Sequence, residues 1–316
     1  MFLLGLSRTR VRLCRRLPLP GQGGGTASVG HLLTVFALLV TANTAGAQTM
    51  PLLDTDDSSL SEAAVTEGRI HPLAQIGLGN GDFSRGAYDG DAADLDRLPY
   101  QTQLAIGAEL AHGADGKPTL WLEGVTTNNF HAPHADETAS PRAWYDNNNL
   151  VGLIAEPLPG LRGALTYVIK TAPNGFASTV HEANASVIYA GDGLLGSIRP
   201  AAVVTMHPHG GHGVYTQVGI TPAWHLTGGS GGPTLSLPVK AGVGWSGFYG
   251  ADTDDAAYGA VGLAYTHPVS IRGVKAAFHA SASALIRSDP VARQGDFEAE
   301  HGTVVPLVSI GFSVAQ

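Results

Sequence analysis

The sequence predicts an all-β protein, an antiparallel up-and-down transmembrane β-barrel of about 12 strands. Three observations point there. The chain is 44% hydrophobic but only 14% charged, against about 25% charged residues in ordinary soluble domains. After residue 47 no apolar run reaches the roughly 18 residues that a spanning helix needs. From about residue 102 onward, one segment after another alternates apolar and polar residues with a period of two, the signature of strands with one apolar face. The 42 Gly and 19 Pro follow no three-residue period, which excludes collagen, and the hydrophobic content excludes a disordered chain.

Residues 1–47 read as a secretory signal peptide. Arg8, Arg10, Arg12, Arg15 and Arg16 form a basic start, His31–Ala42 an apolar stretch, and Ala45-Gly46-Ala47 a small-residue cleavage site. This segment carries 5 of the 18 basic residues and no acidic one. The remainder therefore has 13 basic against 26 acidic residues, net −13, which argues against nucleic acid as a partner. The single cysteine, Cys14, lies in the leader, so the rest of the chain has no disulfide, thiol nucleophile or cysteine metal site. Residues 48–68 are acidic and aperiodic and read as a flexible N-terminal segment ahead of a barrel over residues 69–316.

The strands can be taken in order. Arg69–Leu78 is the first. Segments 102–112, 118–127, 148–156, 161–170, 179–190 and 198–207 follow. Val214–Leu226 sets Val214, Val218, Ile220, Trp224 and Leu226 against Tyr215, Gln217, Gly219 and His225. Thr234–Ser246 sets Leu235, Leu237, Val239, Ala241, Val243 and Trp245 against Thr234, Ser236, Lys240 and three small residues. After 257–267 comes the clearest case, Gly273–Arg287, with Val274, Ala276, Phe278, Ala280, Ala282, Ala284 and Ile286 on one face and Lys275, His279, Ser281, Ser283 and Arg287 on the other. Segment 303–314 is the last. Most exceed the five or six residues of soluble strands and match the 9–11 of spanning ones.

The second faces are mostly Gly, Ala, Ser and Thr with one or two ionisable residues each, which suits a hydrated lumen rather than an exposed surface. Trp144, Trp224, Trp245 and Tyr265 fall near strand ends, where interfacial girdles belong. Connections 79–101, 128–147, 171–178, 247–256 and 288–302 are long and carry most of the acid, whereas 113–117, 157–160 and 268–272 are short. Outer-membrane barrels show that parity between external loops and periplasmic turns.

Segments 237–250 (LPVKAGVGWSGFYG), 258–270 (YGAVGLAYTHPVS) and 305–316 (VPLVSIGFSVAQ) resemble the C-terminal hairpins of bacterial outer-membrane porin-like β-barrel proteins, a largely uncharacterised group. The likeness rests on pattern over roughly residues 100–316. It implies a Gram-negative outer-membrane location, with outer-membrane lipid, lipopolysaccharide and the barrel assembly machinery as partners. Barrels of this kind end in an aromatic residue, whereas here Phe312 is the last aromatic.

Alternation points Glu109, Glu123, Arg162, Lys170, Glu182, Arg199, Lys240, Lys275 and Arg287 into the lumen, where such charges either bias ion entry or pair with one another and plug the barrel. His207, His209 and His212 in HPHGGHG, with His131 and His134 in HAPH, have spacings that could chelate Cu²⁺, Ni²⁺ or Zn²⁺. His181-Glu182-Ala183-Asn184 resembles the His-Glu-Ser-Asn run of outer-membrane phospholipases, with Ala183 where that family has its nucleophilic serine. The expected function is therefore passive diffusion of small polar solutes or ions, with no catalysis and no cofactor. The alternatives are a lipid-modifying barrel enzyme and a soluble exported β-sandwich binding protein.

Overall fold

A computed structural model describes residues 48–55, 60–65, 68–90, 98–133, 140–226, 232–250, 253–272, 274–294 and 302–315. The signal-peptide reading of residues 1–47 lies outside the described residues. The chain opens with two short strands, β1 (Gln48–Leu53) and β2 (Leu60–Val65), paired only with each other. Then come β3 (Ile70–Gly79), a two-residue hairpin of β4 (Phe83–Ser84) and β5 (Ala87–Tyr88), and the long strands β6 (Tyr100–His112), β7 (Pro118–Phe130), β8 (Trp144–Leu158), β9 (Leu161–Thr171) and β10 (Val180–Tyr189). β11 (Ala201–His209), β12 (Val214–Ile220), β13 (Ala223–His225), β14 (Thr234–Ser236) and β15 (Val239–Trp245) follow, then β16 (Ala256–Ile271), β17 (Val274–Arg287) and β18 (Val304–Ala315).

Among the described residues, twelve of these strands form one antiparallel barrel: β3, β6 to β12, and β15 to β18. The seam is closed by β18 on β3, from Ser309 opposite Gly79 to Ala315 opposite Leu73. Strand one therefore pairs with strand twelve, and the soluble β-sandwich alternative, which needs two opposed sheets, is overturned. β13 and β14 extend the strands of β12 and β15 past breaks at Thr221-Pro222 and Leu237-Pro238, where proline cannot donate to a ladder.

Each expected strand segment is present, generally a few residues longer at one end. The connections also sort by end. Tight turns with positive-φ residues at Gly116, Gly160 and Arg272 lie at one end with the chain's first and last barrel residues. Connections 80–99, 131–143, 172–179, 210–213, 246–255 and 288–303 lie at the other. These are called below the turn end and the loop end.

Side chains sort by parity as the alternation requires. Leu104, Ile106, Val151, Leu153, Leu165, Val218, Leu263, Ile286, Val308 and Ile310 face outward and are exposed, Leu165 at 67%. The positions between them face inward. The outside of the barrel is thus a band of large apolar side chains that no described residue covers.

Residues 48–68 depart from the flexible segment expected of them. Where described, they form the β1–β2 hairpin, whose Met50, Leu52 and Leu53 are buried against Leu73, Ala105, Trp121, Val125, Leu150, Ile154 and Val168 on the inner wall. Sparse apolar residues in an acidic run gave no periodic signal, yet three of them suffice to anchor the hairpin once a wall exists to receive them. A second buried cluster, Tyr215, Tyr258, Leu285 and Val305, sits inside the opposite part of the barrel. Leu285→Ala is expected to destabilise the fold by about 2–5 kcal/mol, read as a lower denaturant midpoint when unfolding in detergent is followed by near-ultraviolet circular dichroism.

Candidate functional site: a lumen narrowed by two inserts

The barrel interior is the one concave region that the topology builds, and two pieces of chain enter it. The first is the β1–β2 hairpin. Room for it comes from inward glycines on two wall strands: a Cβ at Gly107 would fall 2.2 Å from Met50 Sδ, and one at Gly152 would fall 2.6 Å from Leu53 Cδ1. Polar contacts are few. Leu53 N donates to Glu123 Oε1 at 3.3 Å, and the Thr55 and Thr127 hydroxyls lie 2.9 Å apart. At the turn end the Glu62 carboxylate accepts from Arg162 Nη1 at 2.6 Å and Arg199 Nη2 at 3.1 Å, while Arg162 Nε donates to Glu156 at 2.7 Å.

The second insert is the β4–β5 hairpin, which folds back from the loop end. Its central residues Arg85 (φ 49°) and Gly86 (φ 86°) both adopt positive φ, as a two-residue turn of type I′ demands. Gly86 is also pressed on the Tyr258 ring, where a Cβ would lie 2.6 Å from the nearest ring atom. From this turn the Arg85 guanidinium donates two bonds to Glu182, at 2.6 and 2.7 Å, with both side chains buried. Lys170 Nζ and His207 Nε2 lie 3.7 and 3.6 Å from the same carboxylate. The Arg85 guanidinium also sits over the rings of Tyr215 and Phe248, at 5.2 and 5.6 Å. Tyr249 OH donates to Arg85 O at 2.8 Å, and Arg287 donates to Gly86 O at 3.4 Å. A fork-to-fork guanidinium–carboxylate pair with aromatic stacking fixes the insert's position and angle.

The inserts fill different sides. Inward residues of β7 to β10 such as Glu123, Thr127, Ile154, Val168 and Glu182 are buried, none above 2% exposed. On β16, β17, β18 and β3 the inward positions are small or hydroxylic, and Thr266, His279, Ser281, Ser283, Ser309, Gly311 and Ser313 all keep exposed surface. Ser281 and Ser309 hydroxyls lie 2.7 Å apart, and His279 Nε2 lies 2.8 Å from Ser313 Oγ. Towards the loop end this strip opens into a cleft of about 190 Å³ lined by Gln75, Gln101, Asn129, Tyr145, Asp82, His279 and Ser309 over a floor that includes Gly77, Gly79 and Gly311. Burial, and then the neighbouring Asp89, push the Asp82 carboxyl up to about 7, against the opposing bond donated by Tyr145 OH at 2.6 Å and the attraction of Lys170.

The charges expected to line the lumen meet different fates. Glu109 faces inward and bridges His71 and His112, at 2.8 and 2.9 Å. Glu123 is covered by the first insert. Arg162 and Arg199 bind Glu62, with Arg199 in the left-handed residue after the helical turn Gly193–Ile198 at the rim rather than in a wall strand. Lys170, Glu182 and Arg287 hold the second insert, and Lys240 and Lys275 stand inward on β15 and β17. These groups therefore bind segments of their own chain rather than forming a ring.

The histidine reading needs correction. His207 stacks on Phe248 at 4.5 Å inside the barrel, His209 meets His181 edge to face at 5.2 Å, and His212 contributes its carbonyl to His207 Nδ1. A bulge between β10 and β11 turns His209 away from His207. Among the described residues no three metal-ligating side chains converge. His131 stacks on Tyr145, and His134 lies outside the described residues. His181 points outward and pairs with the Tyr167 hydroxyl at 2.7 Å, with neither a carboxylate nor a serine on it. The residues the sequence did not single out are Arg85, Asp82, Tyr145, Tyr215 and Tyr258; aromatics bracketing an Arg-Gly turn, Phe83 to Tyr88, were the available signal.

These features define a closed, twelve-stranded antiparallel barrel with an occluded polar interior. No protein-family model matches the chain, and no curated protein matches it in sequence. Among solved structures it is similar to the NanC porin, at 8% identity and a TM-score of 0.42, covering 77% of this chain and 98% of that one. It is also similar to OmpF of Salmonella typhi, solved with daunomycin, at 9% identity and a TM-score of 0.32, covering 84% and 100%.

Arg85→Met strands the buried Glu182 carboxylate and is expected to cost about 3–5 kcal/mol. Arg85→Met combined with Glu182→Met should recover most of that loss. Denaturant midpoints, with limited proteolysis across residues 83–88 as a local readout, measure both.

Proposed function

We propose that this protein is an outer-membrane β-barrel channel for passive diffusion of small polar solutes or ions. One observation carries the reading: the strands segregate a continuous apolar exterior from an interior whose one unfilled side is a strip of serine, threonine, glycine and histidine. Such an exterior would be a large aggregation-prone patch in water, whereas lipid is its natural neighbour. A closed ladder satisfies every strand donor and acceptor internally, which is what a bilayer demands. Ten residues tilted by about 45° cover roughly 23 Å, close to the apolar band of such barrels.

Within the lumen, the inserts cover opposite sides at different depths. A solute would enter along the cleft beside β18, β3 and β6, then cross to the small-residue strip of β16 and β17 towards the turn end. Hydroxyls and amides replace part of its hydration along the way, and no step needs a nucleophile or base. The long loops would then face the cell exterior, with the turns in the periplasm.

Planar-bilayer recording of the purified protein tests the channel; silence at every voltage and salt concentration would remove it. Asp82 supplies a finer test. Because its carboxyl titrates near 7, the cleft gains a negative charge as pH rises through that value. Cation over anion permeability, read from reversal potentials, is expected to rise between pH 6 and pH 8 and to stay flat in Asp82→Asn.

A further inference from the structure

We infer that the β1–β2 hairpin is a removable plug, latched by charge at the turn end, so that the channel has a narrow plugged state and a wider unplugged one. The inference rests on the channel reading. Four observations carry it.

The hairpin forms a sheet of its own and shares no backbone ladder with the barrel. Leaving therefore breaks no strand pairing, and the twelve-stranded closure survives it intact. Its grip consists instead of a few apolar side chains in glycine-made recesses, one long backbone bond to Glu123 and one hydroxyl pair with Thr127.

The wall beneath it is not a dry wall by composition. Glu123 is 1% exposed under Leu53, and its Oε2 has no hydrogen-bond partner among the described residues. A carboxyl covered by a leucine and left half-satisfied opposes seating. The same carboxyl would be hydrated once the hairpin left, so the wall suits water as well as it suits the plug.

The ionic contacts sit at the mouth. Glu62 and Arg199 each keep about a third of their surface exposed, and Arg162 joins them to Glu156. Ion pairs so exposed are weak and screened by salt. They form a latch that ionic strength can loosen, unlike the buried Arg85–Glu182 pair holding the other insert.

The connection to the barrel runs through Gly68, at φ 125°, and Arg69 at that same mouth. The hairpin can swing out towards the turn end without passing any strand.

A disulfide lock tests this. The Thr55 and Thr127 hydroxyls are near enough that Thr55→Cys with Thr127→Cys can form a bond of normal Cβ separation, in a full chain that also carries Cys14→Ser. The oxidised protein should show one small conductance. Reduction should restore transitions to a level at least twofold larger, more frequent at high salt and in Glu62→Gln with the lock reduced. Equal conductance records before and after reduction would overturn the plug. Silence in both states would remove the channel reading instead, and hydrogen exchange then judges the hairpin by itself. Amides of 48–53 and 60–65 exchanging at least tenfold faster than those of β7 and β8 keep it as a removable insert, and equal protection overturns it.

Discussion

Closure of the hydrogen-bonded ladder is the constraint on which the rest of this structure depends. Once Ser309 to Ala315 pair with β3, no strand of the barrel presents an unpaired edge. The backbone then makes no demand on its surroundings, and the side chains alone determine what the two surfaces meet. That freedom is what allows leucines, isoleucines and valines to stand outward without covering. It also turns the inner face into the place where every polar residue of the strands must find a partner.

A twelve-stranded wall encloses more space than serine, glycine and alanine side chains fill, and the chain supplies its own filling from both ends. The two inserts are held by different physics. Arg85 and Glu182 are withdrawn from water, so their pairing contributes little net stability but penalises any misplacement of the turn heavily. The hairpin that carries Met50 and Leu53 relies on apolar fit and on exposed ion pairs, which tolerate displacement. One insert is thus part of the architecture, and the other is only seated in it.

The barrel was legible because alternation is a long-range pattern repeated twelve times. Val274 to Ile286 against Lys275 to Arg287 announces one apolar face however the neighbours are arranged, and parity then orders the connections. The inserts were not legible because each is too short to show a period. Leu52 and Leu53 are adjacent and both buried, which no alternating pattern predicts, and β4 and β5 span two residues each. The inward charges were visible as types and as parity, since Glu123, Lys170 and Glu182 do face the lumen. Their partners were not, because Arg85 and Glu62 come from segments with no periodic signal. The histidines of HPHGGHG looked convergent in sequence, and a single bulge was enough to send His207 and His209 to different faces.

The attachment of the hairpin beside Arg69 bears on how the molecule assembles. A segment tied by a few residues to the rim of its own receptacle experiences an effective concentration on the order of millimolar. Even an intrinsically feeble seat is therefore substantially occupied, and no threading problem arises. The wall can shut around solvent first, and the hairpin can dock afterwards as an intramolecular ligand.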